Sequence, residues 1–123
     1  MSITLNHTIV PAVDNEAAAR FFAAIMGLEY AHAGPARHFA PVRVNDSLTL
    51  DFLSVEHPAG HHLAFDVDPP TFDGILARLR AAGVPYGNDH AHPDNGRIDH
   101  PLSPRGLYFA DDTGNLYEVM SPG

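Results

Sequence analysis

The first third of the chain changes from a strand pattern to a helix pattern. Apolar residues dominate "ITLNHTIVPAV", residues 3–13, and we predict a strand there with His7 near its start. A helix is predicted to follow, with Asp14 as its N-cap and Gly27 as the left-handed residue that ends it. The apolar stripe between them has helical spacing and is expected to pack in the core: Phe21, Phe22, Ile25 and Met26.

The same succession returns in the second half of the chain. The stretch "HHLAFDV", residues 61–67, has a strand pattern. Pro69 and Pro70 suit the entry to a helix, which Gly83 is predicted to end. The apolar positions of this helix also recur at helical spacing and are expected in the core: Phe72, Ile75, Leu76, Leu79 and Ala82.

Two hairpins and one long loop are predicted in the rest of the chain. Residues 37–44 and 47–55 read as strands joined by the turn sequence "NDS", and residues 106–112 and 115–121 as strands joined near "DTGN". Each half therefore reads as a strand, a helix and about three further strands. Residues 87–104 are rich in Gly, Pro, Asn, Asp and His, and a loop of this length is often a lid or a binding segment.

The two halves can be aligned with each other at an offset of 55 or 56 residues. The equivalent pairs are His7 with His62, Gly27 with Gly83, and Tyr30 with Tyr86. Three pairs in the same order indicate an internal repeat, roughly 3–55 and 60–121, within a single domain that spans 1–123.

Composition narrows the classes of function. The formal net charge is −8 with seven Lys and Arg residues, so we expect neither nucleic acid nor an anionic membrane surface as a partner. The chain has no cysteine, which excludes disulfides and thiolate metal sites. It shows no 18-residue apolar run and no secretory signal pattern, and we expect a cytoplasmic protein. Nine histidines leave imidazole ligands available.

The repeat groups four residues that could bind a metal. His7 and His62 hold equivalent places on the first strand of each half, and Asp51 and Glu118 hold equivalent places on the last strand. Imidazole nitrogen and carboxylate oxygen suit divalent Fe, Mn, Ni, Co or Zn, and two histidines with one carboxylate form the facial arrangement of non-haem iron. The pattern therefore indicates a divalent metal site.

These motifs resemble the vicinal oxygen chelate superfamily, which includes glyoxalase I, bleomycin resistance proteins and type I extradiol dioxygenases. The matching stretches are "LNHTIV", "ARFFAAIMGLEY", "HHLAFDV" and "GLYFADDTGNLYEVM". The last is similar to the family pattern Y-F-x-D-P-x-G-N-x-x-E. The resemblance implies an α+β fold in which two paired βαβββ modules form a curved mixed sheet around a metal-binding cavity. It also implies a homodimer, whose site is built within one chain or across two.

The family's ligands correspond to His7, His62 and Glu118. His61 competes for the second place, but strand alternation puts His61 and His62 on opposite faces, and the family form H-x-A-F favours His62. His61 is then outward or beside the site. The resemblance also gives Tyr108 a catalytic role at the substrate or at a metal-bound oxygen; as a residue in a strand pattern, it is equally a packing aromatic.

The resemblance favours an extradiol-dioxygenase-like enzyme that uses Fe(II), with Mn, Ni, Co or Zn as alternatives, on a small molecule with adjacent oxygens. A glyoxalase- or epimerase-like lyase or isomerase is the first alternative, and a drug- or metabolite-binding protein the second. The role of Asp51 would distinguish the dioxygenase from the isomerase. If Asp51 is a fourth metal ligand, fewer positions on the ion remain for substrate and O₂, which favours the isomerase. Asp51 can equally be a carboxylate that only accepts hydrogen bonds.

No sequence pattern assigns a function to the remaining histidines and arginines. Arg97 and His100, in the loop 87–104, could bind a substrate anion or act near O₂, but a solvated loop is the competing interpretation. Three other histidines fall in no pattern and are expected on the surface: His32, His38 and His57.

Overall fold

The computed structural model describes residues 2–30 and 38–123, and the chain divides into two compact units, Met1–Gly60 and His61–Gly123. The first unit contains β1 (His7–Ala12), α1 (Asn15–Met26), β2 (Phe39–Arg43) and β3 (Thr49–Ser54). Its three strands form a mixed sheet in the order β1-β3-β2, with β1 parallel and β2 antiparallel to the central β3.

The second unit repeats this order of elements. It contains β4 (His62–Asp66), α2 (Pro69–Ala82), β5 (Arg105–Ala110) and β6 (Leu116–Ser121). The sheet order is β4-β6-β5, again with the first strand parallel and the other antiparallel to the central one. The α+β class predicted from the sequence is therefore confirmed.

Local signals explain both helices. The Asp14 carboxylate accepts the Ala17 N–H at 3.2 Å, and Gly27 ends α1 in the left-handed region at φ 74°. In α2 the cap is Asp68, whose carboxylate accepts the Thr71 N–H at 2.8 Å and which the sequence analysis did not identify. The predicted apolar stripes are buried or half-buried apart from Ala82, which is exposed because it lies in the last turn.

Both predicted hairpins are present. Asn45 closes the first turn, since its side-chain oxygen accepts the backbone N–H groups of Ser47 and Leu48, each at 2.9 Å. Gly114 makes the second turn at φ 95°. After α2, the chain pairs with β5 through a single bridge, Gly87 with Tyr108, instead of the predicted additional strand. Side-chain hydrogen bonds within the loop, such as those between Asn88 and Asn95, take the place of a strand ladder there.

Three predictions concern residues that were treated as surface positions or strand ends. His38 and His57 are exposed. His32 and Arg37, the start of the predicted 37–44 strand, lie outside the described residues.

Neither described helix has the length and apolar character required to cross a membrane.

Strand register decides which side chains share a face. Asp51 lies opposite Ile9 on β1, and Glu118 lies opposite Ala64 on β4, two residues after His7 and His62 respectively. In each unit the neighbouring side chains point to the other face, where the helix packs: the Phe22 and Phe52 rings lie 5.9 Å apart in the first unit, and Arg105 covers Phe72 in the second. The candidate ligands of each unit therefore lie on the sheet face away from its helix.

Candidate functional site

Glu118 is the centre of a polar cluster in the second unit. It lies on β6, between Ala64 of β4 and Tyr108 of β5, and is 5% exposed. A buried carboxylate requires several partners, because removing its charge from water is costly. The structure supplies hydrogen bonds from three side chains, those of His62, His100 and Tyr108.

His62, the first residue of β4, approaches one oxygen of this carboxylate. Its Nε2 lies 2.8 Å from Glu118 Oε1, and its side chain is 50% exposed. The neighbouring His61 contributes its backbone instead: its N–H donates to Asn115 Oδ1 at 2.8 Å and its carbonyl accepts the Leu116 N–H at 2.8 Å. The structure therefore brings together His62 and Glu118, and His61 fixes where β4 begins.

His100 approaches the other oxygen, a contact that the sequence did not indicate, since it suggested this histidine only for a substrate anion or for a place near O₂. Its Nε2 lies 2.7 Å from Glu118 Oε2, and its side chain is completely buried although it comes from the long loop. One signal was available, a glycine inside a strand pattern, which can mark a close approach. A Cβ at Gly106 of β5 would lie 2.6 Å from the His100 ring, so the ring occupies the space that this glycine leaves.

Tyr108 covers the cluster from β5. Its ring stacks on that of His100, with centroids 5.5 Å apart, and lies 5.9 Å from that of His62. Burial raises the pKa of Tyr108, and the charge of Glu118, a hydrogen bond with it and the charge of Asp89 raise it further. The phenol therefore keeps its proton and is a hydrogen-bond donor near neutral pH.

His7 and Asp51 lie in the first unit. His7 begins β1, is exposed, and its Nδ1 lies 2.8 Å from Asn6 Oδ1. Because an amide oxygen only accepts, this bond puts the proton on Nδ1 and leaves Nε2 free as a metal ligand. Asp51 is half-buried on β3, on the same sheet face as His7.

The loop 87–104 is held by its own side chains. Asn95 Oδ1 accepts the N–H groups of Asn88 and Arg97, and the Asn88 amide donates to Asp99. Arg97, which the sequence analysis considered for an anion, forms an ion pair with Asp99 at 2.7 Å. Its charge is therefore partly satisfied within the loop.

An open cavity of about 590 Å³ lies between this loop and the polar cluster. The loop contributes most of its wall, and Tyr108 of β5 completes it. The lining residues are Asn88, Asp89, His90, Asp99, His100, Pro101 and Tyr108. The cavity is large enough for a small-molecule substrate and lies beside the Glu118 cluster.

The donor set suits a divalent metal in part. Metal–nitrogen and metal–oxygen bonds of about 2.0–2.2 Å place neighbouring donors roughly 3 Å apart, and the His62 and Glu118 atoms are 2.8 Å apart. Within residues 2–30 and 38–123, no group of three or more His, Cys, Asp or Glu side chains is arranged to hold a metal. His62 and Glu118 thus supply two donors, and a complete site requires another.

Comparison with models of known protein families identifies the family of the chain. The model of the Glyoxalase/Bleomycin resistance protein/Dioxygenase superfamily matches residues 4–119. The chain belongs to this superfamily. The resemblance drawn from the sequence motifs is therefore confirmed, whereas a comparison with curated proteins found no match.

Several solved structures share the fold of the chain. "Oxidase ChaP-H2" is 39% identical over 100% of both chains with a TM-score of 0.87. "Oxidase ChaP-H1" is 36% identical, with 98% of this chain and 96% of that chain covered and a TM-score of 0.85. TnmS3, an antibiotic binding protein from Streptomyces sp. CB03234, shares the fold at 23% identity, with 100% and 99% covered and a TM-score of 0.73.

Proposed function

We propose that this superfamily member is a metal-dependent enzyme that oxidises an aromatic substrate with adjacent oxygens, in the manner of an extradiol dioxygenase. The observation that carries the proposal is the pairing of His62 and Glu118 at 2.8 Å, with Tyr108 bonded to the same carboxylate. Two solved structures with more than a third of their residues identical to this chain are named oxidases, which supports oxygen chemistry.

His7, His62 and Glu118 are the proposed ligands. Two imidazoles and one carboxylate suit a divalent ion, with Fe(II) favoured and Mn, Ni, Co or Zn as alternatives. The Asn6 side chain, 2.8 Å from His7 Nδ1, leaves the other nitrogen of that ring for the ion. Because the proposal includes a homodimer, the His7 ligand can come either from the same chain as His62 and Glu118 or from a second copy. A bound ion would supply Lewis-acid and redox chemistry to adjacent substrate oxygens.

The side chains around Glu118 have distinct tasks in this reaction. Tyr108 keeps its proton, because its pKa is raised by burial and by the charge of Glu118. In the proposed reaction its single hydroxyl hydrogen turns from the Glu118 carboxylate to a substrate oxygen as negative charge develops there. The cavity of about 590 Å³ beside it receives the remainder of the substrate. Asp89 adds a carboxylate to its wall, where Asp99 is ion-paired with Arg97, and this favours neutral or hydroxylated substrates over carboxylates.

Metal binding and oxygen consumption test the proposal together. We expect the purified protein, loaded anaerobically with Fe(II), to give a charge-transfer band with a catechol and to consume O₂ when air is admitted. The His62→Ala variant should lose both signals, and His61→Ala is the matched control, because His61 is exposed and joins the sheet through its backbone. A wild-type protein that binds Fe(II) but leaves catechol and O₂ unchanged would contradict the dioxygenase assignment.

A glyoxalase- or epimerase-like reaction is the second candidate, and one observation favours it. Asp51 and Glu118 hold equivalent register positions on β3 and β6. Asp51 lies opposite Ile9, two residues after His7, and Glu118 lies opposite Ala64, two residues after His62. As a fourth ligand, Asp51 would favour isomerase chemistry over O₂ binding. Turnover of the methylglyoxal–thiol adduct without O₂ would support this candidate. A protein without affinity for Fe, Mn, Ni or Zn would instead indicate a binding protein.

A further inference from the structure

We infer that His100 is a positioning residue that holds one oxygen of Glu118 and reserves the other for the metal. The inference rests on the proposed function, because it assigns a role to the carboxylate named there as a ligand. The sequence suggested that His100 binds a substrate anion or acts near O₂, whereas the inference assigns it to Glu118. The support comes from the hydrogen bonds at both ring nitrogens and from the packing around the ring.

The two ring nitrogens of His100 have different partners. Nδ1 lies 3.0 Å from the backbone nitrogen of Leu102 and accepts its N–H. The ring proton is therefore on Nε2, which donates to Glu118 Oε2 at 2.7 Å. Because the side chain is completely buried, no water competes for this bond, and His100 is a fixed donor to one carboxylate oxygen.

Glu118 is consequently asymmetric. Its Oε2 is bound on the buried side by His100, its Oε1 faces His62, whose side chain is half exposed, and Tyr108 donates a further hydrogen bond to the carboxylate. A carboxylate held in this way offers one oxygen to an ion. With an ion bound, His100 would favour ligation through a single oxygen of Glu118, which would leave one more position for substrate or O₂ than ligation through both oxygens.

The packing shows that the position of the ring is built into the fold. Tyr108 stacks on one side of the His100 ring at 5.5 Å, and Gly106 leaves the space that the ring fills, since a Cβ there would lie 2.6 Å from it. The Gly106 N–H also donates to the Ile98 carbonyl at 2.9 Å, which ties the loop to β5 beside the ring. These contacts fix the loop so that Nε2 meets Glu118.

Metal affinity and metal spectroscopy test the role without relying on turnover. We expect His100→Leu, which retains an apolar side chain but loses both nitrogens, to lower Mn(II) affinity about 10- to 100-fold and to change the Mn(II) electron paramagnetic resonance spectrum. His100→Gln retains an N–H donor and should recover part of the affinity. His92→Leu is the matched control, because His92 is an exposed histidine of the same loop whose affinity should match wild type.

The outcomes separate the inference from the proposed function. Wild-type affinity and an unchanged spectrum in His100→Leu would overturn the inference and leave the ligand set standing, whereas a wild-type protein that binds no Mn(II) or Fe(II) would overturn both. Circular dichroism checks that the variants fold. If His100→Leu does not, Gly106→Ala provides the test, because its added Cβ displaces the ring; an affinity equal to wild type there would also overturn the inference.

Discussion

Tyr108 and Glu118 lie directly opposite each other on the antiparallel strands β5 and β6, and their side chains share a hydrogen bond. The ten-residue separation along the chain is closed by the turn at Gly114, where φ is 95°. The register therefore places a protonated phenol against the carboxylate proposed to bind the metal. It also places the Tyr108 ring on His100 and at the wall of the cavity.

The first prediction concerns the phenol. We expect Tyr108→Phe to lower kcat about 10²- to 10³-fold, because a hydrogen-bond donor to developing charge is lost. Metal affinity should fall by no more than about tenfold, because Glu118 loses one of its hydrogen-bond donors while the Phe ring can keep the stacking contact with His100. Steady-state kinetics with the Fe(II)-loaded protein and a Mn(II) titration measure the two effects. A variant with the kcat of wild type would show that Tyr108 only packs.

Strong local signals explain why much of the fold could be predicted from the sequence. Asp14 and Gly27 bound α1 because a carboxylate can cap free N–H groups and glycine tolerates positive φ. Strand alternation predicted that His61 and His62 point to opposite faces of β4, and the side chain of His62 contacts Glu118. About three strands were predicted after each helix, but the described residues form two in each half. In the second half, residues 87–104 satisfy their polar groups with side chains such as Asn88 and Asn95 instead of a strand ladder.

The role of His100 could not be predicted in the same way. Its partner Glu118 is 18 residues away, and only the path of an irregular loop brings the two within 2.7 Å. Loop paths depend on many weak hydrogen bonds and have no sequence period. The glycine at position 106 was a usable signal, yet it indicates a close approach without naming the residue that approaches.

Asp51 gives the second prediction. Under the proposed three-ligand site, Asp51→Asn should leave Mn(II) affinity within roughly tenfold of wild type, whereas Glu118→Gln should lower it further, because Glu118 supplies a charged ligand. The two substitutions are matched, since the residues hold equivalent register positions on β3 and β6. Equal losses of affinity in a calorimetric titration would support a four-ligand site and the isomerase alternative.

The closing hairpin gives a prediction about stability. The buried Tyr117 donates its hydroxyl hydrogen to Asp111 Oδ2 at 3.0 Å, and the Asn115 amide donates to the same oxygen at 3.0 Å. Tyr117→Phe should lower the free energy of unfolding by about 1–3 kcal/mol, because a charged, partly buried acceptor loses one donor. Urea unfolding measures the change.

A surface tyrosine provides the comparison for this variant. The Tyr86 hydroxyl accepts from Arg80 Nε at 3.0 Å in an exposed setting. Tyr86→Phe should therefore change the free energy of unfolding by no more than about 0.5 kcal/mol. Equal effects of the two substitutions would show that the Tyr117–Asp111 bond contributes no more to stability than a surface contact.

The N-cap of α2 gives a prediction for acid pH. Hydrogen bonds from the side chain and the backbone of Thr71 to the Asp68 carboxylate hold the pKa of that carboxyl below its ordinary value. A folded-state pKa below the unfolded one contributes stability that is fully present above the unfolded value and is lost as the pH falls through the folded value. Asp68→Asn keeps a cap acceptor but cannot titrate, so its stability should fall less than that of wild type between about pH 6 and about pH 2. Thermal unfolding across this interval measures both proteins, and parallel pH profiles would show that the cap does not depend on the charge of Asp68.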